Sequence, residues 1–201
     1  MKVLIEQSDL IIYTLGHSTR TIEEFVEILK IYDINMLVDV RAIPRSRYNQ
    51  QFNKENLINT MKTCNIKYFA LPSIGGFRRP KNDSINLALD HSFRGYADFM
   101  QTKEFTENLL KIVVLAKENC LAMMCSEALP WSCHRILISD VLVVRHVKVL
   151  HIISKDSVLA HKLNELAHVE GTKISYPLFN PNGAIQKSLD DFGACDICGN
   201  F

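Results

Sequence analysis

Cys125, Glu127, Cys133 and His134 stand within one ten-residue stretch, which gathers two thiols, a carboxylate and an imidazole. A thiolate is a nucleophile when a base is in reach, and His134 or His17 can serve as that base with Glu127 to orient it. The Cys-x5-Arg phosphatase loop does not fit, because Arg135 lies ten positions after Cys125 and two after Cys133. The same four residues offer sulfur, nitrogen and oxygen donors, but their spacing matches no common zinc pattern, so the sequence assigns none of them to a metal.

Other chemistry-bearing residues fall in two further stretches. His17 follows Gly16 and carries the side chain best suited to proton transfer near neutral pH; it reads equally well as a hydrogen-bonded turn histidine. Asp39 and Arg41 are two apart, so on a strand they share a face, either as an acid with a binding group or as a structural ion pair. Ser18, Arg20, Arg41, Arg45, Arg47 and Arg135 form a candidate cradle for an anion, since the guanidinium fork matches phosphate and carboxylate.

These residues converge only if the elements between them put them at one edge. Apolar runs at 10–15, 36–40, 67–71, 121–124 and 147–153 predict five buried strands. Helical spacing follows Thr21, with Glu24 completing a capping box, and recurs over 54–64, 93–119 (broken near Thr102), 133–145 and 157–168. Alternation of strand and helix predicts a three-layer α/β fold on a mostly parallel sheet of about five strands. In such sheets ligands bind beyond the carboxyl ends of the strands, which is where His17, Asp39 and Cys125 stand. The stretch 72–90, with Gly75, Gly76, Arg78, Arg79 and Pro80, predicts a long loop and a candidate lid.

Bulk properties narrow the classes. The 201 residues are 47% apolar, enough for one domain, read as 1–175, with a C-terminal tail over 176–201. The 23 Lys and Arg nearly balance 22 Asp and Glu, so the chain is not a basic nucleic-acid coat, and any nucleic-acid contact must come from a local patch. No apolar run is long enough for a membrane span, and Val3-Leu4-Ile5 is too short for a signal peptide core, so a cytoplasmic location without membrane contact is expected. Cys64 and Cys120 read as small apolar fillers beside strands.

The polar blocks, taken in series, resemble the domain of unknown function 488 family. They are Gly-His-Ser-Thr-Arg at 16–20, Asp-Val-Arg at 39–41, Pro44 with Arg47, Phe-Arg-Gly-Tyr-Ala-Asp-Phe-Met at 93–100, Met-Cys-Ser-Glu at 124–127 and Cys-His-Arg at 133–135. The resemblance runs over about residues 11–155, with Ser126 where the family more often has Ala. It implies an α/β domain of bacteria and archaea, names no reaction, and adds Phe93, Arg94, Tyr96 and Asp98 as candidates for the pocket. Arg94 and Asp98, four apart, share a helix face and read equally as a surface pair.

In the tail, Gln186, Leu189 and Phe192 have the spacing of the peptide by which DNA enzymes dock on a sliding clamp, although Gly193 stands where a second aromatic is usual. Cys195 and Cys198 make half a zinc site or a redox pair. The expectation is an enzyme acting on a phosphate-bearing or other anionic substrate, with a link to nucleotides or nucleic acid. The alternative is a non-catalytic nucleotide or nucleic-acid binding module recruited to a clamp. Reactive residues set among arginines favour the enzyme, since an anion binder needs only donors. No cofactor is assigned.

Overall fold

The computed structural model describes residues 10–178. The chain runs β1 (Ile11–Gly16), α1 (Ile22–Ile31), β2 (Met36–Asp39), α2 (Lys54–Thr63), β3 (Lys67–Ala70), α3 (His91–Met100), α4 (Lys103–Glu118), β4 (Leu121–Cys125), α5 (Arg135–Val144), β5 (Lys148–Ser154), β6 (Ser157–Ala160), β7 (His168–Glu170) and β8 (Lys173–Ser175). Short 3-10 turns stand at Gln50–Phe52, Pro72–Ile74 and Pro130–Ser132.

Six strands form one sheet in the order β3-β2-β4-β1-β5-β6, parallel throughout except for β6. The apolar runs of β1, β2, β4 and β5 are strands because both their faces are covered, whereas the 67–71 run, expected to be buried, forms the edge strand β3 and is exposed or half-buried over Lys67–Ala70. Leu15, Leu37, Ala122, Met124 and Ile152 pack under Phe25, Ile28 and Leu29 of α1 and Leu57 and Met61 of α2. Their neighbours along the strands, Ile12, Met36, Val38, Leu121, Met123 and Val149, face α3, α4 and α5. Each fully buried Leu or Phe in these layers contributes roughly 1.5–3 kcal/mol over an exposed one. This is the expected three-layer α/β fold. Thr21 starts α1 with the anticipated capping box, its hydroxyl accepting from the Glu24 amide while the Glu24 carboxylate accepts from the Thr21 amide. The long helical stretch breaks at Gln101 and Thr102, and Thr102 caps α4.

Two expectations need correction. There is no helix over 157–168: those residues form β6, antiparallel to β5 across a two-residue turn at Lys155-Asp156, followed by a loop into the β7–β8 hairpin. Leu159, Leu163 and Leu166 have helical spacing, but His161 is drawn inward between Asp140 (2.9 Å) and His151 (3.0 Å), and strand pairing prevails. The helix expected from Cys133 starts at Arg135, and Cys133 and His134 lie in the turn before it. Tyr176 is fully buried and donates to Asp140 at 2.7 Å.

The polar residues of α3 anchor the 72–90 stretch. Asp98 accepts from the Lys81 amide, the Ser84 hydroxyl and the Asn86 side-chain amide. Arg94 donates to the carbonyls of Leu87 and Leu89.

Candidate functional site

The helix after β1 covers one face of the sheet and the helix after β4 covers the other, and these two strands are neighbours. Their carboxyl ends therefore diverge and open a crevice, the usual ligand position in such sheets. The two connecting loops are laced together at its base. The His17 amide donates to the Cys125 carbonyl (3.0 Å) and the Ser18 amide to the Ser126 carbonyl (2.8 Å). This approach requires Gly16, because a Cβ there would lie 1.7 Å from the Glu127 carbonyl oxygen.

A pocket of about 200 Å³ opens above the crevice. One wall is polar: Cys125, Ser126, Glu127, Ser132, Cys133 and His134. Ile43, Phe77, Phe93 and Tyr96 also line it, the Tyr96 ring 5.0 Å from that of His134. Phe77 is 91% exposed and holds a positive φ of 61°, a backbone region uncommon for a bulky residue. A second pocket adjoins the first through Arg41, Ile43 and Ser126 and is lined by His17, Ser18, Thr19, Arg45, Ser46 and Asn49.

The polar wall is a connected cluster. Cys125 Sγ donates to Glu127 Oε2 at 3.1 Å, and the Ser126 hydroxyl also reaches that carboxylate. Cys133 Sγ lies 3.5 Å from His134 Nδ1. It also accepts from the amide (3.5 Å) and the Nε (3.4 Å) of Arg135, whose other arm donates to the Glu127 carbonyl at 2.6 Å. His134 Nε2 lies 3.2 Å from the Val40 carbonyl oxygen. A carbonyl only accepts, so Nε2 carries the proton and Nδ1 turns its lone pair toward the thiols.

The two cysteines divide the ionisation between them. The hydrogen bond to Cys133, together with burial, pushes the Cys125 thiol well up. Burial also pushes Cys133 up, but the Cys125 thiol and the Arg135 guanidinium outweigh it, and Cys133 ends below its ordinary value. Burial raises Glu127, yet the Cys125 thiol, a backbone N–H and the Ser126 hydroxyl hold it below the usual carboxylate range. Cys125, Cys133 and His134 put two sulfurs and a nitrogen within 4.8 Å of one another, close enough to hold a metal ion.

Behind this wall stands a second polar group. Asp39 is saturated: Oδ1 accepts from the amide and Nε of Arg41, and Oδ2 from Arg41 (2.6 Å) and the Tyr68 hydroxyl (2.7 Å). Arg41 also donates to the Phe52 carbonyl and contacts His17 Nε2 at 3.2 Å. His17 Nδ1 donates to the Ser18 carbonyl, and its ring stacks on Phe52 with centroids 4.3 Å apart. Burial, with Arg41 beside it, lowers the His17 pKa to about 4. The ring is therefore neutral with both nitrogens engaged, and Asp39, Arg41 and His17 brace the crevice floor.

The arginines do not converge as one cradle. Arg20 donates to the carbonyls of Gly16 and Ile153 and ties α1 to two strand ends. Arg94, on α3, is not among the pocket's lining residues and donates to the 72–90 stretch, and Arg135 is buried against Glu127 and Cys133. Arg47 is exposed on the loop after β2, where Arg45 lines the second pocket with Ser18. Tyr96 lines the first pocket and donates to the Ile74 carbonyl at 2.6 Å. Sequence reasoning did not single out Ile43, Phe77 and Ser132. An aromatic after Gly75-Gly76 was the available signal for Phe77. Gln186, Leu189, Phe192, Cys195 and Cys198 lie outside the described residues.

Fold and site together define an α/β protein with a polar pocket at the carboxyl edge of a mostly parallel sheet. The chain belongs to the family described as Domain of unknown function DUF488, whose model matches residues 21–142, more than half of its length. That match includes Arg41, the Cys125–Glu127 stretch and Cys133–Arg135, and begins just after Gly16–Arg20. No curated protein and no solved structure matches the chain. Among the described residues no helix is long and apolar enough to cross a membrane.

Proposed function

We propose that this protein is an enzyme acting on a small phosphate-bearing or other anionic substrate of the nucleotide type. The observation that carries the reading is the clustering of Cys125, Glu127, Cys133 and His134 on one wall of an open pocket at the sheet's switch point. A binding module needs donors alone; it has no use for a depressed thiol, an ionised carboxylate and a tautomer-fixed imidazole in contact. Glu127 is the proton-transfer group, being ionised, solvent-facing and adjacent to both thiols. Cys133 is the electron-rich atom of the centre, and Asp39, Arg41 and His17 position the floor beneath it.

The two adjoining pockets support the substrate class. An anionic group suits the second, where Arg45, Ser18, Ser46 and Asn49 offer donors. An apolar or planar portion suits Ile43, Phe77 and Phe93 in the first. The test is a thermal-shift and turnover screen of the full chain against nucleotides, nucleosides, short single-stranded DNA and sugar phosphates. A ligand that binds the folded state alone raises the midpoint according to its concentration over Kd. The reading expects a phosphate-bearing ligand to raise it, the rise to shrink in Arg45→Ala, and slow conversion of that ligand to appear. Binding without any conversion, equally tight in Glu127→Gln, sinks the enzyme reading.

A further inference from the structure

We infer that Cys125, Cys133 and His134 form a binding site for one borderline-soft divalent metal ion of the zinc type, with its remaining coordination position open to the pocket beside Glu127. This rests on the reading of the cluster as a reaction centre, and says what its sulfur atoms do there.

Four observations carry it. First, two Sγ atoms and a ring nitrogen of His134 lie within 4.8 Å of one another, brought together by the end of β4 and the turn that follows it, with His134 Nδ1 3.5 Å from Cys133 Sγ. Donors in a tetrahedral zinc shell, each about 2.0–2.3 Å from the metal, stand roughly 3.3–3.8 Å apart; Cys133 Sγ and His134 Nδ1 already do, and the other separations need to close by at most about 1 Å. Second, the imidazole is set up as a ligand. Nε2–H donates to the Val40 carbonyl at 3.2 Å, which leaves the Nδ1 lone pair facing the sulfurs. Metal-binding histidines almost always have their other ring N–H held this way, and the hydrogen bond fixes both tautomer and orientation. Third, Cys133 Sγ receives two N–H donors from Arg135, which stabilise negative charge on a buried sulfur and need no second thiol to do so. Fourth, the pocket side is open: all three donors line the same cavity as Glu127 and Ser126.

The donor chemistry selects the ion. Two thiols and an imidazole favour zinc over magnesium or calcium, which take oxygen ligands. Three protein donors with an open position are the pattern of catalytic rather than structural zinc. A metal there would supply Lewis acidity and a bound water of lowered pKa. Glu127, whose Oε2 is 3.1 Å from Cys125 Sγ, is placed to take a proton at that position. The linear spacing hid this site, because no short Cys-x2-Cys element is involved and the turn at Pro130–Ser132 is what folds Cys133 back onto Cys125.

The test uses the full chain in a Cys195→Ser/Cys198→Ser background, so that the tail thiols cannot hold the ion. Reduced, chelator-treated protein is titrated anaerobically with cobalt(II) and zinc(II). The expected result is one equivalent per chain. Cobalt should give a thiolate charge-transfer band and the intense visible bands of a tetrahedral centre, and zinc should displace it. Cys133→Ser and His134→Ala should each weaken binding beyond the roughly 10–100-fold that outer-shell changes cause. Cys64→Ser should leave it unchanged. A readout without variants guards against misfolding: zinc should protect Cys125 and Cys133, and neither Cys64 nor Cys120, from alkylation. Absence of a tetrahedral cobalt spectrum overturns the site, as does protection of Cys64 or Cys120 alone or metal retained in Cys133→Ser. Full turnover by metal-free protein overturns this inference and leaves the enzyme reading standing. Tight zinc without turnover of any substrate does the reverse.

Discussion

Arg135 and Cys133 are bound to each other twice, through the Arg135 amide at 3.5 Å and its Nε at 3.4 Å, both donating to the sulfur. The amide is one that the first turn of α5 leaves without an intrahelical acceptor, so the sulfur caps the helix while the guanidinium supplies a full charge. The Cys125 thiol and this contact hold the Cys133 thiol below its ordinary value, against the pull of its own burial.

Replacing Arg135 with Lys keeps the charge but loses the fork, and one arm can no longer reach both Cys133 and the Glu127 carbonyl. Arg135→Lys should therefore raise the midpoint of the pH profile for alkylation of Cys133 in metal-free protein. Peptide mass spectrometry reads that midpoint. If it stays where it is in the parent chain, Arg135 does not set the thiol's ionisation.

Gly16 carries a different kind of constraint. A Cβ at that position meets the Glu127 carbonyl oxygen at 1.7 Å, and neither partner can give way without breaking the contacts between the loops after β1 and β4. Gly16→Ala should cost more than about 2 kcal/mol, the range of severe overpacking. It should also widen the crevice, so that ligand affinity falls more than stability alone explains. Urea denaturation and ligand titration of the same variant measure the two. A variant within about 0.5 kcal/mol of the parent, the scatter of ordinary surface changes, contradicts the close approach.

The sequence made the sheet legible because period-two and period-3.6 patterns report burial directly, and β1 to β5 with α1 to α5 follow from them. The same patterns failed after Ser154. There the fold is decided by one buried imidazole, His161, and by Tyr176, whose partners Asp140, His151 and Asn86 are 10 to 90 positions away. The site was legible as a set of residues and not as an arrangement. His17, Asp39 and Arg41 looked like reactive groups but brace one another, while Arg20, Arg94 and Arg135 looked like anion readers yet donate to backbone carbonyls. Residue type reveals what a side chain can bond to, but only the packed chain decides whether a carbonyl reaches it first.

The Asp39–Arg41 pair separates structural weight from chemistry. Both side chains are almost fully buried, and the carboxylate has four donors. Asp39→Ala leaves a buried guanidinium without its counter-charge and should cost about 3–5 kcal/mol. Tyr68→Phe removes one donor from the rim and should cost about 1–2 kcal/mol. Chemical denaturation orders the two. Equal losses would mean that Arg41 finds another partner and that the pair is not the brace of the crevice floor.

Two buried histidines set the response to acid. Burial, with Arg41 beside it, lowers His17 to about 4, and burial, with His161 and Arg135 beside it, lowers His151 to about 3. Unfolded, each returns to the ordinary imidazole value of about 6.5. Between those limits the unfolded chain binds the extra protons, so both residues contribute their full stability above about pH 6.5, and it is lost as the pH falls toward 4 and 3. The loss is at most about 1.4 kcal/mol per pH unit for each histidine. The urea midpoint should thus drop steadily between about pH 6.5 and pH 4, the window set by the unfolded imidazole. His151→Asn, though less stable at neutral pH through loss of its bonds to Thr14 and His161, should show a shallower slope. A midpoint that is flat across that window, or as steep in His151→Asn as in the parent, means these imidazoles are not held neutral by the fold.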